Sequence, residues 1–296
     1  MLATRKLILH VSDWHLAAPG PAWSQVLNRR LLGYLRWRWL RGKKHALYPL
    51  ERFFALKEDL SPAKILVTGD LTHLGLPEEF DLARTYLESL GPPAQVSVVP
   101  GNHDSYAPEP WEATYAKWGS YLGEGSSLRE IFPRLQQEGP LALIGLSTAC
   151  PNVPPFARGR LGKEQLKKLA SLLRETGREG LLRIVYLHHP PLEGVVSRRK
   201  ALKDLEPLKE VLYQEGVEMV LYGHTHKNFR HLWQTAHGRC LIFGVPSLTY
   251  VGEDFRRRAR FYALTFEGGE LTFESYAWQG RDFARELRLT YAIGKK

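Results

Sequence analysis

The sequence predicts an α/β fold. Three observations predict it: short apolar runs alternate with amphipathic stretches of helix length, polar clusters follow the apolar runs directly, and beyond Gly238 the pattern changes to strand-like segments with no helix between them.

In chain order, the runs at 7–11, 65–68, 96–99, 141–146, 184–187 and 219–222 read as buried strands, because they are short and end abruptly in polar residues. The first falls far below the roughly 18 residues of a membrane span. Segments 49–59, 78–90, 163–175 and 204–215 repeat apolar positions at three- and four-residue intervals and read as helices. Segments 240–245, 261–266 and 271–276, separated by turn signals such as Glu267-Gly268-Gly269, read as strands. No internal repeat or low-complexity linker divides the 296 residues, so one domain is expected over 1–296.

The chain is 44% hydrophobic, enough for a sizeable core, which excludes a disordered chain. Its two cysteines, Cys150 and Cys240, and the absence of an apolar leader point to a cytoplasmic protein without a disulfide framework. A net charge of +10 favours anionic partners without choosing among phosphorylated metabolites, nucleic acid and acidic lipid.

Five polar segments each follow a predicted strand: Asp13-Trp14-His15, Gly69-Asp70, Gly101-Asn102-His103-Asp104, His188-His189-Pro190-Pro191 and Gly223-His224-Thr225-His226. Ligands of open α/β sheets gather at carboxyl strand ends, so these segments are expected to converge. Their oxygen and nitrogen donors suit borderline or hard divalent ions, and the absence of cysteine argues against a structural zinc site. Asp-x-His and His-x-His leaving a strand are expected to present both side chains on one face, since strand side chains alternate. Glycine before Asp70, Asn102 and His224 fits close backbone approach. Any one segment alone is an ordinary polar loop; five in order after apolar runs are not.

The ordered set resembles the calcineurin-like metallophosphoesterase superfamily, whose motifs run D-x-H, G-D, G-N-H-D/E, H and G-H-x-H. Gly159-Arg160-Leu161-Gly162-Lys163-Glu164-Gln165-Leu166 is similar to a helix start of its bacterial members, among them cyclic-nucleotide phosphodiesterases and UDP-diacylglucosamine pyrophosphatases. The resemblance implies a four-layer α/β/β/α sandwich of two mixed sheets. It also implies two divalent ions, drawn from Mn, Fe, Zn, Ni and Mg with manganese the first expectation. Asp13, His15 and His226 would hold one, Asn102, His188 and His224 the other, with Asp70 bridging. The family ligand stands two residues before proline, which favours His188 over His189. Phosphate esters would be hydrolysed by in-line attack of a metal-bridging hydroxide. His103 would assist the leaving oxygen as a catalytic residue, with Asp104 orienting its imidazole.

His73 either lines the cleft or belongs to a surface loop, while His10, His45, His231 and His237 have no ligand-like context and read as structural or exposed. Residues 19–50 form an insertion without a single acidic residue. In it Leu27, Leu31, Leu32, Leu35 and Trp39 recur at helical spacing among arginines, as in a basic amphipathic helix interrupted by Gly33. This stripe either packs on the body or meets a membrane surface through residues 27–44, peripherally at the inner membrane, the latter suiting a phosphorylated lipid substrate. Nucleic acid, stacked on Trp37 and Trp39, is a third partner reading. The cluster Arg256-Arg257-Arg258-Ala259-Arg260 reads as a phosphate contact or a charged strand edge. The enzymatic alternatives are hydrolysis of a lipid-linked pyrophosphate such as UDP-2,3-diacylglucosamine, and a nuclease.

Overall fold

The computed structural model describes residues 5–293; both ends of the expected 1–296 domain, and the side chain of Arg41, lie outside the described residues. The first half runs β1 (Lys6–Val11), α1 (Trp23–Val26), α2 (Leu31–Arg36), α3 (Tyr48–Leu60), β2 (Lys64–Val67), α4 (Pro77–Leu90), β3 (Val96–Val98), α5 (Leu128–Ile131), β4 (Arg134–Glu138) and β5 (Leu141–Gly145). The second runs α6 (Lys163–Arg178), β6 (Leu182–Leu187), α7 (Leu205–Glu215), β7 (Met219–Tyr222), β8 (Phe229–Thr235), β9 (Gly238–Gly244), β10 (Arg260–Glu267), β11 (Glu270–Trp278) and β12 (Phe283–Ala292).

Two six-stranded sheets result, in orders β12-β11-β10-β1-β2-β3 and β4-β5-β6-β7-β9-β8, each mixing parallel and antiparallel pairs. Strand alternation builds the layers. Along β6 and β7, Ile184, Tyr186, Met219 and Leu221 join the core shared with the other sheet, while Val185, Leu187, Val220 and Tyr222 face Leu169 and Leu173 of α6 and Leu208 and Leu212 of α7. In β10, Tyr262 meets Phe243 of the opposite sheet and Phe261 meets Phe53 of α3, with ring centroids 6.4 and 4.9 Å apart. This is the expected α/β/β/α sandwich.

Three strands escape the apolar-run reading. β4, β8 and β12 are edge strands with largely solvated residues, so their sequences carry no buried run. The arginine cluster before β10 is not an edge. β10 lies between β1 and β11, and Arg260 is buried, donating to Ser275 Oγ and Glu286 at 2.7 Å. Cys150 and Cys240 are both free thiols.

The insertion corrects a second expectation. It is no continuous helix: α1 and α2 give way to a π-helical turn at Trp37–Arg41 and a 3₁₀ turn at Gly42–Lys44. The predicted stripe does not pack on the body, since Leu27, Leu32, Leu35 and Trp39 are exposed. Val26, Arg30, Tyr34 and Trp37 turn inward instead. Arg30 is buried, donating to the carbonyls of Leu74 and Gly75 at 2.8 and 2.9 Å and pairing with Glu109 at 2.8 Å. Gly33 does not interrupt α2; a Cβ there would lie 3.0 Å from Leu74 Cδ2 and 2.9 Å from Tyr106 Cζ, so glycine permits the close approach.

Candidate metal centre

All five polar segments meet where strands of both sheets end. The β1–β2 pairing continues past the strands, with Asp13 N and His15 N donating to Gly69 O and Asp70 O at 2.9 and 3.0 Å. In the other sheet Gly223 N donates to His188 O at 3.1 Å. Bonds that join the sheets here include His188 Nδ1–H to Thr68 O at 2.6 Å, His224 N to Asp13 Oδ2 at 3.0 Å and Ser247 Oγ to Asp13 O at 2.6 Å.

The convergence has a different backbone origin from the expected one. Asp13, His15, Asp70, His224 and His226 lie beyond the strands with φ between +49° and +63°; among the described residues only Ser61, past the end of α3, shares that conformation without being glycine. Left-handed geometry at a non-glycine residue costs on the order of 1 kcal/mol, tolerated best by Asn, Asp and His. Five such residues in one place mark strain concentrated at a site.

The donor atoms form two groups. In the first, His15 Nε2 and His226 Nε2 are 3.0 Å apart, and Asp13 Oδ1 lies 3.7 Å from the former and 3.1 Å from the latter. Asp13 Oδ1 is buried and accepts no hydrogen bond among the described residues. Burial, reinforced by His103 and His226, holds His15 well below the ordinary imidazole range, so it offers a lone pair. In the second, His188 Nε2 lies 3.2 Å from Asp70 Oδ2 and 3.3 Å from both Asn102 Oδ1 and His224 Nδ1. Nδ1–H of His188 is committed to Thr68 O and Nε2–H of His224 to Lys200 O at 3.0 Å, which turns the other nitrogen of each ring inward. Burial opposes charge on His188, yet Asp70 drives it up to about 9; reciprocally, against burial, His188 holds Asp70 well below the usual carboxylate range. Buried ring nitrogens and carboxylate oxygens brought within 3.0–3.7 Å of one another are a donor set that fits cations at both groups.

His189 turns away from this centre, its Nδ1 2.8 Å from Thr148 Oγ1 and its Nε2 3.3 Å from Ala157 O. Asp104 does not orient His103. Its carboxylate accepts from the amides of Asp70, Gly101 and Thr72 and from Thr72 Oγ1 at 2.8–2.9 Å, and burial pushes it up to about 6. It clamps the two loops that carry Asp70 and Asn102. His103 is oriented instead by donating Nδ1–H to His73 O at 2.5 Å. A Cβ at Gly101 would stand 2.6 Å from Asp70 N, so only glycine lets these loops meet.

A cleft of about 490 Å³ opens over the cluster, lined by His15, Asp70, Asn102, His103, His224 and His226. His73 lines it too, its ring 4.1 Å from Trp37 and stacked on His103 at 5.5 Å. His45, expected to be structural or exposed, lies in the wall with its ring 5.6 Å from His15 and its Nδ1 2.9 Å from Thr249 Oγ1. Lys44, Lys200, Tyr250 and Arg257 complete the rim, and Arg257 sits 4.8 Å over the Tyr250 ring. His45, Tyr250 and Lys200 carried no local sequence signal for this placement. His10 is buried and His231 and His237 are exposed, as expected.

Two mixed sheets whose joined strand ends carry this Asp, Asn and His set define the metallophosphoesterase class. The chain belongs to the calcineurin-like phosphoesterase family, whose model matches residues 6–228. It is 32% identical over 172 residues to a probable cyclic nucleotide phosphodiesterase of Synechococcus sp., covering 57% of this chain and 60% of that one. It is 30% identical over 218 residues to a 3',5'-cyclic-nucleotide phosphodiesterase of Nostoc sp., covering 71% of each. A probable glycerophosphodiester phosphodiesterase of Arcobacter nitrofigilis is 27% identical over 204 residues, covering 67% and 68%. The match thus spans less than two thirds of the Synechococcus protein. Among solved structures, a dimetal phosphatase from Danio rerio superposes with a TM-score of 0.65 at 14% identity over 98% of this chain and 99% of that one. A purple acid phosphatase from yellow lupin seeds gives 0.62 at 14% identity, covering 99% and 54%. These two likenesses establish the fold.

Proposed function

We propose that this chain is a binuclear metal-dependent phosphoric ester hydrolase that prefers phosphodiesters. The observation that carries the reading is the pair of donor groups at the strand ends, in which Asp13, His15, Asp70, His224 and His226 are left-handed. Asp13, His15 and His226 would hold one ion and Asn102, His188 and His224 the other, with Asp70 contributing its carboxylate. Divalent ions at these positions supply charge stabilisation of the phosphoryl group and a water acidic enough to react near neutral pH. Manganese is the first to test, given a wholly oxygen and nitrogen donor set.

The protein residues do the rest. His103, with Nδ1–H fixed on His73 O, lines the cleft and, as the doubly protonated imidazolium, gives its other ring proton to the leaving oxygen. Lys44, Lys200 and Arg257 on the rim attract the anionic ester, while Trp37 and Tyr250 provide flat apolar walls for its leaving group. The names of the Nostoc and Arcobacter relatives support diesters over monoesters.

The test is hydrolysis of bis(p-nitrophenyl) phosphate and p-nitrophenyl phosphate by metal-stripped protein, with Mn²⁺, Fe²⁺, Zn²⁺, Ni²⁺ or Mg²⁺ restored separately. Metal-dependent turnover, faster on the diester and abolished by Asp70→Asn, is expected. Turnover that survives chelation, or a fully active Asp70→Asn protein, defeats the assignment.

A further inference from the structure

The insertion over the cleft leaves an apolar surface uncovered. Among the described residues fourteen large hydrophobics are exposed, and eight of them fall within residues 23–48. Trp23, Leu27, Leu32, Trp39 and Leu40 are each 58–69% exposed, well beyond the single scattered side chains of an ordinary surface. The inward side of the same segment is satisfied by Val26, Arg30 and Tyr34, so the outward set is not the residue of a failed packing face.

The charge of this surface is of one sign. Arg29, Arg30, Arg36, Arg38, Arg41, Lys43 and Lys44 lie in the insertion and no acidic residue does. Arg36, Arg38, Lys43 and Lys44 are exposed beside the apolar side chains, with Arg38 5.6 Å over the Trp39 ring. Exposed Trp and Leu interleaved with Arg and Lys match the boundary of an anionic bilayer, where indole sits at headgroup depth, leucine enters the acyl region and the cations meet lipid phosphates. A protein partner rich in acidic residues would satisfy the cations but not bury the leucines.

The surface is continuous with the cleft, because Trp39, Leu40 and Lys44 belong to both. Among the described residues no helix is long and apolar enough to cross a membrane, so contact through this segment would be peripheral.

We propose that residues 23–44 dock the protein on an anionic lipid surface with the cleft mouth against it. The ester hydrolysed is then an amphiphilic one presented in the membrane plane; this last step rests on the hydrolase reading, the docking does not.

The test is cosedimentation of the full chain with vesicles of phosphatidylglycerol and phosphatidylcholine in equal parts, and with phosphatidylcholine alone. Binding to the first only, weakened by high salt, is expected. The double variant Leu27→Glu, Leu32→Glu, whose side chains lie outside the cleft lining, is expected to lose at least tenfold in vesicle affinity while hydrolysing bis(p-nitrophenyl) phosphate at the wild-type rate. Absence of binding to anionic vesicles, or equal binding by the double variant, overturns docking, as does a concentration-dependent dimer or a DNA complex that the double variant abolishes while vesicles go unbound. If vesicles bind and no ester is hydrolysed, docking stands and the hydrolase reading falls.

Discussion

The ring of Trp37 lies 4.1 Å from that of His73, inclined by 33°, and thereby fastens the inserted segment to the loop that follows Asp70. Because Trp37 also forms the cleft wall, Trp37→Leu is expected to weaken binding of aryl diesters. An aromatic contact is worth about 0.5–1.5 kcal/mol, so KM rises about two- to tenfold while kcat stays within about twofold. An unchanged KM would show that the leaving group does not reach this wall.

Arg30 fastens the same segment by polar means. Arg30→Met leaves the buried carbonyls of Leu74 and Gly75 unpaired and frees Glu109, at a cost of about 3 kcal/mol in urea denaturation. Arg30→Lys is expected to restore little, since an ammonium lacks the planar fork that reaches both carbonyls and Glu109.

His103 and Asp104 are neighbours with separable duties. His103→Asn is expected to lower kcat about 10²-fold or more with little change in stability, because its imidazole faces the cleft. Asp104→Asn replaces an acceptor of backbone amides by a group that is half donor, and is expected to cost about 2–3 kcal/mol of stability along with activity. Activity loss in Asp104→Asn without a change in denaturation midpoint would contradict the clamp.

Metal loading displaces a proton in this arrangement. His188 is held up at about 9 by Asp70, so at pH 7 the metal-free ring is charged, and an ion taking Nε2 must expel that proton. Calorimetric titration in buffers of different ionisation enthalpy is expected to report about one proton released at that group. Apparent affinity is expected to climb about tenfold per pH unit up to about pH 9. Affinity flat between pH 6 and 8 would show that the metal-free ring is not held protonated by Asp70.

His10 gives a stability signature remote from the cleft. Burial lowers it to about 3, with its Nε2 2.9 Å from Thr68 Oγ1. The unfolded chain binds a proton near pH 6.5 and the folded chain does not, so His10 contributes stability that is fully present above about pH 6.5 and lost as pH falls towards 3. Between pH 6 and 4 the wild type is expected to lose up to about 1.4 kcal/mol per pH unit more than His10→Gln, read from urea midpoints. Parallel curves would mean that the ring is already charged in the folded state.

The sequence was most legible where physics is local. Buried strands such as β6 and β7 announce themselves as apolar runs, and the polar segments behind them marked the cluster residue by residue. β4, β8 and β12 were silent because an edge strand is held by its neighbour's backbone while water solvates its side chains. Leu27, Leu32 and Leu35 carry helical spacing that ordinarily means burial, and tertiary structure chose the other face of the turn, through Val26, Arg30 and Tyr34. His45, Lys200 and Tyr250 reach the cleft by long-range folding alone; the bridge between His45 and Tyr250 spans most of the chain and leaves no trace in either local sequence.

The left-handed backbone at Asp13, His15, Asp70, His224 and His226 has an evolutionary corollary. At these positions the main chain itself filters replacements, admitting Asn, Asp, His or Gly far more readily than branched or bulky residues. A descendant that abandoned phosphoester chemistry would therefore still favour Asn, Asp, His or Gly there. The chain trace, not only selection for catalysis, would preserve a fossil of the donor set.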